Sequence, residues 1–292
     1  MKQEMTYVMG VTACIGFTLN LLVLRTFIKK KRGHRSNADK FITSLAFADM
    51  IFCLCIIVSS IIEITNTMVS HKAFAIYWNI SQGTSFSGSL LHIMAISIDR
   101  LVAVTCPFKY KKGYISSRRV SIVILSMWIL SAFIASTQFW MDLIIIDIIV
   151  SCMISIASIG AVIIYLIIGH SLYKRTKNIS TGNMQKMQRN QDCRKSIALC
   201  FLLTLTFFSC NMPFVAVNIN AHITGKLWSR VTGYILYYLM TINCLIDPII
   251  YNFAPKFLKC LDKKLSFNQR GNETQMMELS QFISNALRQG KK

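Results

Sequence analysis

Seven long apolar stretches, separated by short polar connections, occupy most of this chain. A bilayer core about 30 Å thick needs about 20 apolar residues per spanning helix. On that scale the pattern predicts membrane helices over 5–28, 41–66, 74–106, 119–141, 144–172, 196–221 and 228–252. The expected fold class is an all-α membrane protein, a seven-transmembrane helix bundle forming one domain over residues 1–265. Within it, APKFLKCLDKKL alternates apolar and basic residues, predicting a short amphipathic helix on the inner leaflet at 254–265. Residues 266–292 are polar and predict a disordered cytoplasmic tail. With no cleavable leader pattern ahead of it, the first span is expected to act as an uncleaved anchor.

Composition agrees: 53% of the 292 residues are hydrophobic and mean hydropathy is +0.48. The net charge of +20 suggests nucleic acid until the basic residues are placed. Of the 32 Lys and Arg, six lie in 29–40, five in 109–119, seven in 174–195 and eight in 256–292. These segments are alternate connections plus the tail. By the positive-inside rule they are cytoplasmic, which puts the N-terminus outside, the C-terminus inside and makes the span count odd. The charge is a topology signal with affinity for anionic membrane lipids, and nucleic acid is not an expected partner. All ten cysteines fall in spans or on the cytoplasmic side, so no extracellular disulfide is expected.

Polar residues inside the apolar runs carry the candidate chemistry, because an ionisable group at the bilayer centre costs about 2.5–3.5 kcal/mol on insertion scales. Asp49 lies deep in the second span and Asn20 in the first. Asp99 and Arg100 sit side by side near the end of the third, either as a functional pair or as a salt bridge that anchors the helix end. His92 has no second metal-type residue one turn away and reads as a hydrogen-bonded helix histidine. Pro213 lies inside the sixth span, where it removes a hydrogen bond and makes a hinge. Asp247 and Pro248 lie in the seventh, with Tyr251 one turn on. Asp142 and Asp147 flank the short outer connection, as solvated helix ends or as contacts for a cationic ligand. Cys260 is a palmitoylation candidate or a free thiol.

Taken together, Asn20, LAFAD ending in Asp49, Ser89, Asp99-Arg100, Trp128, Tyr165, Pro213 and DPIIY from Asp247 to Tyr251, with Phe253 and Phe257 after it, resemble the rhodopsin-like (class A) G-protein-coupled receptors. The resemblance runs from residue 5 to about 265. The absent span-five proline (Ala157), the very short second outer connection, DPIIY and a missing outer disulfide (Ala75 stands at the usual cysteine) look most like the melanocortin, lipid and adenosine branch. Other departures are Asn211 for the usual span-six tryptophan, Cys193 beside Asp192 for the usual acid, and Gln82 for the amine-binding acid. There is no span-seven lysine for retinal. Ser59, Ala75 and Asn79 stand where melanocortin receptors place acids.

The resemblance implies a plasma-membrane receptor, not an enzyme, that turns an extracellular small-molecule, lipid or peptide ligand into activation of a heterotrimeric G protein. It implies that Arg100 pairs with Asp99 at rest and is freed when the sixth helix swings outward about Pro213. Arg100 then meets Tyr165 and Tyr251 in a cavity for the Gα C-terminal helix, with Phe108 plugged into that partner. Asp247 and Pro248 complete the expected switch, and Gln82, Asn211, Phe214 and Tyr237 form the expected ligand pocket. No obligate cofactor is implied. Asp49, Ser89, Asn243 and Asp247 match the family's allosteric sodium pocket, with Asn20 orienting Asp49. The alternatives are a seven-helix transporter or channel with Asp49 and Asp247 along an ion path, or a receptor fold that is active without ligand.

Overall fold

A computed structural model describes residues 2–29, 36–67, 70–111, 116–177, 184–225, 229 and 231–252, which form helices joined by turns. The predicted surface helix at 254–265, the tail, Phe253, Phe257 and Cys260 lie outside the described residues. In chain order the helices are α1 (Lys2–Lys29), α2 (Asn37–Thr65), α3 (His71–Thr105), α4 (Pro107–Lys111), α5 (Ser117–Ser136), α6 (Leu143–Lys177), α7 (Met184–Thr224) and α8 (Val231–Asn252). All but the five-residue α4 are long and apolar enough to cross a bilayer, so the chain is a seven-span, multi-pass membrane protein.

Burial runs opposite to that of a water-soluble protein. Ile156, Leu166 and Phe133 are about 70%, 67% and 67% exposed, whereas Asn20, Asp49 and Asp247 are fully buried. Lipid is the outer solvent for such a bundle, so apolar side chains face outward and polar groups satisfy one another inside. The α3 helix is central and touches α2, α5, α6 and α7. Leu90, Ile93 and Ile96 of α3 pack with Leu45, Val120, Leu203, Phe207 and Tyr251 in the largest apolar cluster.

Local chemistry sets the helix ends. Ser36 begins α2 with a reciprocal cap: its hydroxyl accepts from Asp39 N–H at 3.1 Å, and its own N–H donates to Asp39 Oδ2 at 2.8 Å. At the far end, Asn66 takes the left-handed conformation (φ 49°) and its N–H returns to the Ile62 carbonyl. Ser116 caps α5 by accepting from Arg119 N–H at 3.3 Å. Pro107 stops α3 and opens α4, because a proline without an N–H is tolerated in a first helical turn.

Helix ends differ from the apolar segments at several places. The fourth span stops at Ser136 and passes into a 3₁₀ turn at Thr137–Phe139 instead of continuing to 141. There the hydroxyls of Ser136 and Thr137 turn back to the Phe133 and Ile134 carbonyls, each at 2.7 Å. The α6 and α7 helices also outrun their apolar segments, reaching Lys177 and starting at Met184, as the polar connection extends both. Helix hydrogen bonds are internal, so they persist where the side chains change from lipid-facing to charged.

Candidate functional site

Three groups of polar residues lie along the axis of the bundle. The first is at the end that carries the basic connections. Arg100 Nε donates to Asp99 Oδ2 at 3.1 Å, and its Nη2 forms an ion pair with the same oxygen. Tyr110 of α4 adds a third member that the sequence reading missed. Its hydroxyl donates to Asp99 Oδ1 and Oδ2 at 3.1 and 3.2 Å, and accepts from Arg100 Nη2 at 3.3 Å. The Asp99 side chain is 3% exposed and that of Arg100 12%, so the pair is shielded from water. Burial, and then the Asp99 charge beside it, push the Tyr110 phenol up to about 12, which keeps it a neutral donor at physiological pH. Phe108, four residues after the buried Val104, is 83% exposed at this end.

Above this pair, Tyr165 of α6 bonds Thr204 of α7 at 3.1 Å and Ser97 of α3 at 3.4 Å, while Ser97 and Thr204 lie 3.2 Å apart. Three membrane helices thus meet through three hydroxyls. Tyr165 is held by this cluster and has no bond to Arg100. Tyr251 is buried with its hydroxyl unpartnered. Pro213 sits inside α7 and leaves the Ser209 carbonyl without its helical donor.

The second group is at mid-bundle. Ser89 of α3 donates to Asp49 Oδ1 at 3.1 Å, and the Cys244 thiol lies 3.6 Å from the same oxygen. Asn243 Nδ2 donates to Asp247 Oδ2 at 3.5 Å. Asn20 does not orient Asp49 as expected: its amide donates to the carbonyls of Gly16 at 3.0 Å and Cys244 at 2.8 Å, tying α1 to α8. Gly16 lets α1 pack closely on α2, since a Cβ there would meet the Cys53 sulfur at 3.1 Å. Asp49 Oδ2, Asn243 Oδ1 and Asp247 Oδ1 are buried acceptors with no donor. Unmatched oxygens on a pair of buried carboxylates fit a small hard cation, so the residues suit the sodium ion that the resemblance implies. Among the described residues, no group of three or more His, Cys, Asp and Glu could hold a metal. His92 Nδ1 contacts its own helix at the Gly88 carbonyl, 2.7 Å away.

The third is a cavity of about 200 Å³ at the opposite end of the bundle. Gln82, Phe214 and Tyr237 line it; Asn211 is absent from its lining and donates to the Phe207 carbonyl of its own helix at 2.6 Å. Trp78 meets Tyr237 edge-on at 5.6 Å and forms one wall. Gly83 brings α5 close to α3, because a Cβ there would sit 3.0 Å from that of Ala135. Asp147 of α6 also lines the cavity. Beyond it, Glu63 of α2 accepts from Thr6 of α1 at 2.9 Å and Tyr234 of α8 at 3.0 Å, a clamp unseen in the sequence. The eight described cysteines are free thiols.

Seven long apolar helices thus enclose a buried Asp-Arg pair, mid-bundle carboxylates and an aromatic cavity at the far end. The family model for the 7 transmembrane receptor (rhodopsin family) matches residues 19–144. A Dopamine D2-like receptor from Drosophila melanogaster is 33% identical over 118 residues, 40% of this chain and 13% of that protein. The Alpha-1A adrenergic receptor of Oryzias latipes is 26% identical over 129 residues, covering 44% and 27%. The Growth hormone secretagogue receptor type 1 of Mus musculus is 20% identical over 313 residues, covering 89% and 83%. The chain thus spans well under half the length of the first two and most of the third. Over these stretches it is similar to the rhodopsin-like seven-transmembrane receptors. The names of these relatives point to different ligands, so they favour no particular branch. Members of the class are receptors and not enzymes.

Proposed function

We propose that this receptor sits in the plasma membrane with its N-terminus outside and activates a heterotrimeric G protein on binding an extracellular ligand. The observation that carries this reading is the closed cluster at the basic end, where Asp99 and Tyr110 hold the one arginine buried in α3. A buried guanidinium is costly unless paired. A partner that offers acceptors to Arg100 can therefore compete with Asp99, and the receptor has two arrangements of similar free energy.

In the resting arrangement Arg100 is neutralised by Asp99. Activation moves the basic end of α7 outward about Pro213, breaks the Tyr165–Thr204 contact and lets Tyr165 turn toward Arg100. The opened space admits the C-terminal helix of Gα, with Phe108 packing on that partner. At mid-bundle, Asp49, Ser89, Asn243 and Asp247 would hold a sodium ion. Bound there, the ion would neutralise the paired carboxylates and favour the resting state by mass action. The transporter reading is weaker, because the seven spans are continuous helices among the described residues, whereas transporter sites are typically built from broken ones.

The test is nucleotide exchange by purified heterotrimers of each Gα class on the full chain in nanodiscs. Asp99→Asn, which releases Arg100 without removing it, is expected to accelerate exchange on at least one class. Failure of all classes to respond to this variant would overturn the proposal.

A further inference from the structure

The charge of the outer cavity is unusual for its surroundings. Among the described residues that line it, Asp147 is the one charged side chain. The facing wall is aromatic, with Trp78 against Tyr237 and Phe214 nearby. Asp147 is half-buried and lines the cavity together with Tyr237. Favourable placement near the first turn of α6 accounts for an acid at this position. It does not account for the acid facing a cavity walled by aromatic rings.

We propose that this cavity binds a small organic ammonium ion, its charged head paired with Asp147 and its apolar body lying among Trp78, Phe214 and Tyr237. An ammonium gains twice in such a site, from the carboxylate and from the negative faces of the rings. A neutral ligand gains neither, and an anion is repelled. Gln82, across the cavity on α3, supplies no charge but has a buried amide nitrogen without a partner, available to an acceptor on the ligand body. The volume of about 200 Å³ is below the roughly 300–1,000 Å³ typical of drug-sized pockets, which limits the ligand to about one ring and a short arm. A peptide does not fit this cavity, although it can reach its mouth.

The inference rests on the receptor reading of the cavity, yet its test needs no G protein. Thermal unfolding of the full chain in nanodiscs would be followed while 2-phenylethylammonium or its neutral counterpart, 2-phenylethanol, is titrated at pH 7.4. The ammonium is expected to bind about tenfold or more tighter than the alcohol. Asp147→Asn should abolish that preference and leave alcohol binding unchanged. Asp147→Glu should retain part of it, and Asp142→Asn, at an exposed position, all of it. Equal affinity for the two probes, no binding of either at millimolar concentration, or a preference that survives in Asp147→Asn would overturn the proposal. A chain that binds the ammonium but drives no nucleotide exchange would fail the coupling reading alone. One that drives exchange without the ammonium preference would fail this inference alone.

Discussion

Tyr110 donates its hydroxyl to both carboxylate oxygens of Asp99, at 3.1 and 3.2 Å, from a short helix that begins after the membrane span has ended. The α4 helix is thereby a latch on the arginine cluster. Removing the hydroxyl in Tyr110→Phe deletes a donor to a buried charge, worth about 1.5–3 kcal/mol. That loss falls on the resting state, so basal nucleotide exchange is expected to rise about tenfold. Unchanged basal exchange in Tyr110→Phe would show that α4 does not restrain the switch.

Glu63 joins three helices by accepting from Thr6 and Tyr234 on either side. Together with the apolar cluster of Met9, Phe52 and Met240, this clamp joins α1, α2 and α8 at the far end. Glu63→Ala removes the bonds from Thr6 and Tyr234 and is expected to cost about 2 kcal/mol of stability. Thermal unfolding in nanodiscs should show a midpoint several degrees lower. Thr6→Val and Tyr234→Phe should be non-additive with it.

Sodium dependence follows from the unmatched oxygens of Asp49, Asn243 and Asp247. Replacing sodium by a large organic cation at fixed ionic strength is expected to raise basal exchange, and Asp49→Asn should no longer respond. Basal exchange indifferent to sodium in the unmutated receptor would remove the ion as a regulator.

Orientation follows from the distribution of basic residues. An epitope at residue 1 should be labelled on intact cells, and one at residue 292 only after permeabilisation. The reverse pattern would invert every assignment of inside and outside.

The spans were legible in the sequence because lipid leaves a buried backbone almost no alternative to helices, so apolar length alone fixes them. Asp49, Ser89 and the Asp99-Arg100 pair were legible for a related reason: polar groups stand out against an apolar run. The partners of these residues were harder to read. Asn20 reaches a backbone carbonyl at Cys244, and a carbonyl has no signature in sequence. Tyr110 lies outside the span, where one more tyrosine among lysines carries no signal until α4 places it under Asp99. Glu63 binds residues 57 and 171 positions away, a link only packing reveals. Asn211 turned to its own helix because an amide can bond the carbonyl one turn back as readily as it can face a cavity.

The central claim, that Arg100 is the element through which the bundle acts on a G protein, is tested most directly by a pair of variants. Nucleotide exchange would be compared between Asp99→Asn and the double variant Asp99→Asn/Arg100→Ala in nanodiscs, with matched amounts of folded protein. The account predicts accelerated exchange in the first and a return to the receptor-free rate in the second. Equal acceleration in both would contradict it, and would leave the Asp99–Arg100 pair as a salt bridge that only anchors the end of α3.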